Sequence, residues 1–178
     1  MFRHAITSLK ALGLATLFTA GLVFAPTASA AQSGTDGGQF CRAAIAIAEQ
    51  ASQIPEDLLQ AIAVTESGRW NKNAGEVTPW PWTVMAEGRG RYFKTKAEAL
   101  GEVRQLQARG IRNIDVGCMQ VNLGFHGKAF ATLEQALDPI HNIAYAASFL
   151  THLRAREHSW SRAVRFYHSA TYTKREPY

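Results

Sequence analysis

The sequence predicts a mainly α-helical domain interrupted by one long irregular segment. Three observations carry that prediction. Apolar residues recur at helical spacing over 54–68, 95–109 and 139–167. Thr95-Lys-Ala-Glu98 and Asp138-Pro139 are helix-start signals. Periodicity is lost between Trp70 and Tyr92, where Trp80-Pro81-Trp82 sits among Gly75, Pro79, Gly88 and Gly90. With 178 residues, 47% of them hydrophobic, the chain has enough length for one domain with a sizeable core.

Residues 1–30 read as a secretory signal peptide. Arg3 and Lys10 give a positive start, Ala11 to Ala25 form an uncharged and mostly apolar run, and Ala28-Ser29-Ala30 matches the small-x-small cleavage pattern. An uncleaved anchor is the alternative, but fifteen residues ended by Pro26 are short for a span. No later stretch is long and apolar enough, so no stable membrane span is expected after cleavage and the product belongs in the periplasm or outside the cell. Cleavage removes Arg3 and Lys10 and lowers the formal charge from +5 to +3. Without a long basic block, that excess does not indicate nucleic-acid binding; it suits loose attraction to an anionic envelope polymer.

Residues 31–53 are a lead-in and first helix: Gln32 to Gly38 is polar and glycine-containing, and Phe40 to Ser52 has helical composition. The main domain spans 54–178. It opens with a helix from Ile54 to Gly68, with Pro55 at its first position, Glu56 and Asp57 at the positive end of the dipole, and Gly68 as the stop. Leu58, Leu59, Ile62 and Ala63 form its apolar stripe, and Glu66 falls on the same stripe, four residues after Ile62. A carboxylate there is partly out of water, so its pKa is expected to rise until it can hold a proton near neutrality, as a general acid must. The plainer reading is a Glu that ends its helix beside solvent, its charge hydrated or paired to Arg69.

Trp70 to Tyr92 reads as a structured loop or small irregular lobe with a short hairpin around Trp82 to Phe93. Its tryptophans either stack on sugar rings or plug the loop to the core. Thr95 caps a helix that runs to about Arg109 and ends at Gly110, with Ala99, Leu100, Val103 and Leu106 inward. Ile114-Asp-Val-Gly-Cys-Met-Gln-Val-Asn122 is a turn in which Gly117 permits a close approach and Gln120 and Asn122 carry donors and acceptors. Ala129 to Ala136 is a moderate helical segment. A long helix starts at Pro139 with Ile143, Ala146, Ala147, Phe149, Leu150 and Leu153 inward and His152 and His158 outward; a last one runs from Trp160 to Tyr167.

Cys41 and Cys118 are the only cysteines. In an exported protein they could pair as a disulfide or remain buried free thiols, and spacing alone leaves both open. Cys118 could also be a nucleophile partnered by His126 or His141, but no local cysteine-hydrolase pattern surrounds it. HExxH, paired CxxC, Walker and GxSxG motifs are missing, and the six histidines show no zinc spacing, so neither a metal nor a cofactor is expected.

What remains, in order, is Glu66-Ser67, Gly117-Cys-Met-Gln120, Asp138-Pro-Ile-His-Asn142-Ile143 and Tyr167-His168. Each is weak alone; four in this order resemble the lysozyme-like lytic transglycosylases of the bacterial cell envelope, the SLT-domain family. The chain looks most similar to small exported members that accompany secretion, conjugation or flagellar assemblies. The resemblance covers about Ile54 to Tyr167 and implies a lysozyme-like helical fold with a glycan cleft and peptidoglycan strands as substrate. It also implies catalysis by Glu66, orientation of Glu66 by Ser67, cleft lining by Met119 and Gln120, and substrate contact near Asn142 and Tyr167. Three departures stand out: a long insertion over Trp70 to Asp115, His168 where Asn is common, and an early end to the chain.

Ordinary glycosidases need two carboxylates; Asp115 and Glu87 are candidates for a second. The resemblance implies that one suffices, because the substrate supplies its own nucleophile and closes to a 1,6-anhydro product. Two rivals stand beside this reading: a muramidase that hydrolyses the same bond with Asp115 facing Glu66, and a non-catalytic glycan-binding or assembly factor.

Overall fold

The computed structural model describes residues 37–171, with side chains through His168. The predicted leader and most of the lead-in lie outside the described residues. Helices dominate, as expected: α1 (Gly37–Ser52), α2 (Leu58–Ser67), α3 (Lys96–Ala108), α4 (Leu123–His126), α5 (Leu133–Ala136), α6 (Pro139–Glu157) and α7 (Trp160–Thr171). Long α6 packs against both α1 and α7, and no helix among the described residues is long and apolar enough to cross a membrane.

Helix α1 starts at Gly37, earlier than its composition suggests. The reason is tertiary: a Cβ at Gly37 would lie 2.8 Å from the Trp80 ring, and one at Gly38 would lie 2.7 Å from Thr78 Oγ1. Glycine lets the helix press onto the following strands. Helix α2, by contrast, starts three residues later than expected. Pro55 precedes it rather than opening it, and Asp57, at φ 64°, caps nothing with its side chain. The cap comes from α1, whose buried Glu49 carboxylate accepts from the backbone N–H of Leu59 (2.7 Å), Asp57 (3.2 Å) and Gln60 (3.3 Å). A negative charge at a helix N-terminus satisfies orphan donors and the dipole together.

The segment expected to be irregular is two hairpins. Strands β1 (Gly68–Asn71) and β2 (Glu76–Pro79) pair antiparallel, with Trp70 opposite Val77; this hairpin was missed because glycine, proline and charge break its alternation. Strands β3 (Thr83–Ala86) and β4 (Arg89–Tyr92) form the expected hairpin. They join β5 (Ile114–Val116) and β6 (Val121–Asn122) in a sheet of order β4-β3-β5-β6. Trp80 and Trp82 fasten the hairpins: Trp80 Nε1 donates to Phe93 O (2.7 Å), the two indoles meet edge to face, and Trp82 lies 6.3 Å from the Phe40 ring of α1.

Helix α3 follows its prediction. Thr95 Oγ1 accepts from Glu98 N–H, Glu98 reaches back to Lys94 N–H, and Ala99, Leu100, Val103 and Leu106 are buried. The helix expected over 129–136 shrinks to the single turn of α5, with another short turn, α4, directly after β6. Asp138 caps α6 by accepting from Ile140 and His141 N–H, with Pro139 in its first turn.

Candidate active site

Glu66 occupies the last turn of α2, and the apolar stripe below it, Leu59, Ile62 and Ala63, is buried in the core shared by α1, α6 and α7. Its side chain is only 4% exposed. Burial raises its pKa, while a hydrogen bond and the charge of His168 partly oppose the rise. Glu66 Oε1 lies 3.2 Å from His168 Nδ1 on α7. An open cavity of about 320 Å³ runs along this corner, lined by Leu58, Ile62, Glu66, Val164, Tyr167 and His168 among others.

The turn at 117–120 packs behind Glu66 and is held from three sides. From α2, the Ser67 hydroxyl donates to Cys118 O (2.7 Å). From α6, Asn142 Oδ1 accepts from Met119 N–H (3.0 Å), and its Nδ2 donates to Val116 O and Ala136 O. From α7, the Tyr167 hydroxyl donates to Met119 O (2.9 Å). Within the turn, Gln120 Nε2 bonds Gly117 O and Thr83 O. Cys118 is joined to Cys41 of α1 by a disulfide, so its sulfur is engaged in a cross-link rather than poised as a thiol nucleophile. Gly117 sits at φ 85°, and a Cβ there would fall 2.5 Å from the Asn142 amide. The close approach anticipated at this glycine is made by that side chain.

These contacts bring Glu66, Ser67, Met119, Gln120, Asn142 and Tyr167 into one locale but give several of them a different surface from the one the sequence suggested. Met119 and Asn142 are fully buried, and Gln120 and Tyr167 are each 3% exposed. Met119, Gln120 and Asn142 form a buried wall behind the 117–120 turn, while Tyr167, equally buried, still borders the cavity beside Glu66. The physical reason is that their amide and hydroxyl groups have been used to satisfy a tight turn in the interior.

Asp115 lies on β5, opposite Met85 and Asn122. It is 6% exposed, and Asn122 Nδ2 donates to its Oδ1 at 2.8 Å. Desolvation, with a smaller contribution from the Glu66 charge, lifts its pKa to about 6 against the opposing Asn122 bond. The Glu66 charge thus adds to the rise at Asp115, behind the larger effect of burial. Glu87 does not join them: it sits in the exposed β3–β4 turn with its carboxylate 2.8 Å from Arg109. Tyr167 is driven well above its ordinary pKa by burial and by the charges of Glu66, Tyr145 and Asp115; it serves as a hydrogen-bond donor.

The contact between His168 and Glu66 was not predicted. Its sequence signal was the histidine directly after Tyr167, but 102 positions separate the pair, and only the packing of α7 on α6 returns it to α2. Among the described residues no group of three or more His, Cys, Asp or Glu converges as a metal site would. Residues 43–177 match the family model for the Transglycosylase SLT domain. No curated protein and no solved structure matches the chain.

Proposed function

Because the chain belongs to the Transglycosylase SLT domain family, we propose that it cleaves the β-1,4 bond between N-acetylmuramic acid and N-acetylglucosamine in peptidoglycan without water, with Glu66 as acid and then base. The observation that carries this reading is a carboxyl with a raised pKa at the edge of an open cavity, braced by a hydrogen-bonded turn. Protonated Glu66 gives its proton to the glycosidic oxygen as the bond to C1 breaks, and the N-acetyl oxygen stabilises the cationic sugar. The Glu66 carboxylate then removes the C6 hydroxyl proton while O6 closes on C1. One group that is neutral at the start and charged midway serves both steps. Ser67, Met119, Gln120 and Asn142 act from behind, keeping the end of α2 and the 117–120 turn in register, and Tyr167 braces the same turn while bordering the cavity.

The muramidase reading has one specific observation in its favour, the buried Asp115 whose titration responds to Glu66. An ionised Asp115 would stabilise the cation or activate a water in that reaction. Product mass separates the two. Intact peptidoglycan is incubated with residues 31–178 and with Glu66→Gln, and the muropeptides are weighed. Products lighter by one water, with a loss of about 10³-fold in the variant, are expected. Hydrated products would establish the muramidase, and glycan binding without cleavage would leave a binding or assembly factor. Export to the periplasm and service to a secretion, conjugation or flagellar assembly belong to the same proposal and rest on the leader pattern and the sequence resemblance.

A further inference from the structure

Glu66 is anchored along the chain by α2, but its carboxyl needs a second anchor if one oxygen is to face substrate. The structure offers one from α7. The His168 ring spans the corner between the two helices, its Nδ1 3.2 Å from Glu66 Oε1, with 59% of the imidazole side chain exposed against 4% of the carboxylate side chain. His168 also lines the cavity that Glu66 lines. We propose that His168 is a positioning residue for Glu66, holding Oε1 from α7 so that Oε2 is the oxygen presented to the groove.

The chemistry of the contact gives it a direction. When Glu66 is protonated, a hydrogen bond donated by Nδ1–H to Oε1 leaves the acidic proton on Oε2. When that proton departs, the same bond becomes charge-assisted and shorter. It is therefore stronger after transfer than before, the property that lowers a barrier rather than merely tightening binding. Among the described residues, the titratable groups facing Glu66 are His168 and Tyr167 from α7 and Asp115 from β5. Tyr167 spends its hydroxyl on Met119 O, and Asp115 is held by Asn122. His168 is the one of the three that directly bonds the carboxyl and that solvent can reach.

This inference rests on the transglycosylase reading for its consequence in turnover, so its test has one arm that needs no turnover. The ionisation of Glu66 is followed by ¹³C NMR of carboxyl-labelled protein, assigned by its loss in Glu66→Gln, in the parent, His168→Leu and His168→Asn. An Asn amide can place a nitrogen near the position of Nδ1, so it should keep the contact that Leu removes. With His168→Leu the Glu66 midpoint should rise, because the group that opposes desolvation is gone. The falling limb of the cleavage–pH profile should move to higher pH with it, and kcat should drop about tenfold at unchanged KM, the scale of a hydrogen bond to a charged group. His168→Asn should remain within about threefold of the parent. A parental midpoint and a parental limb in His168→Leu would overturn the proposal, as would equal losses in both variants accompanied by a lowered Tm, which would mark a packing role. If the midpoint moves but the parent releases no anhydro product, the positioning role stands and the transglycosylase reading falls.

Discussion

Two hydrophobic cores sit in this domain, and they treat polar groups in opposite ways. One, between β3, β5, α3 and the α5 end, has an aliphatic centre, with Val84, Ala99, Leu100, Val103, Leu106, Ile114, Val116 and Leu137 among its residues, and is edged by Trp82, Phe93 and Phe130. Its charges lie on the rim as exposed ion pairs, such as Arg104–Glu134 and Arg109–Glu87. The other, between α1, α2, α6, α7 and the 117–120 turn, is threaded by buried polar side chains, among them Glu49, Ser67, Gln120 and Asn142. An apolar core tolerates small shifts because dispersion is non-directional. A bonded polar core does not, since each misplaced donor costs its desolvation. The candidate acid is mounted on the second kind.

That contrast can be broken most forcefully at Asn142. Asn142→Ala leaves Met119 N–H, Val116 O and Ala136 O without their buried partner, and a loss of about 4 kcal/mol in urea-unfolding free energy is expected, with reduced cleavage per folded molecule. Leu106→Ala in the aliphatic core should cost about 3 kcal/mol yet leave the turnover of folded protein within about twofold. If Leu106→Ala also silences the folded enzyme, the division of labour between the cores is wrong.

A smaller effect sharpens the same comparison through pH. The folded protein holds the Asp115 proton up to about pH 6, above the ordinary 3.8, and Glu66 is shifted in the same direction. A raised carboxyl favours the folded state while protonated. Its contribution is therefore complete below about pH 4 and is lost as pH rises through 6, by about 3 kcal/mol for Asp115. Tm should fall between pH 4 and 8, and Asp115→Asn should flatten that slope; an unchanged slope would mean that Asp115 is hydrated. Smallest of all, Arg109→Ala breaks an exposed pair on the rim of the aliphatic core and should move the unfolding free energy by no more than about 0.5 kcal/mol.

The turn at 117–120 shows where sequence reading of the site runs out. Its residue types, glycine for close approach and amides for bonding, were legible at once, but the recipients of those bonds were not. Asn142 reaches the turn because α6 passes behind it, and Tyr167 because α7 folds back along α6. Side chains that could equally have faced a ligand are consumed by backbone groups far away in the chain. The same holds for Glu49, which lies late in α1 and caps the separate helix α2.

By itself, then, the sequence determined the elements with strong local signals. Apolar periodicity, the Thr95 and Asp138 caps and the 83–92 hairpin are encoded within a few residues, where neighbours along the chain decide the conformation. It also determined that Glu66 would lie on a buried stripe, because helical spacing fixes which face a residue shares. Tertiary structure alone decided what surrounds the carboxyl there: His168 in contact across 102 positions, Asp115 on β5 near enough to feel its charge, and the burial of Met119, Gln120 and Asn142. Burial and charge proximity depend on distances in space, and these are set only when helices from opposite ends of the chain pack together.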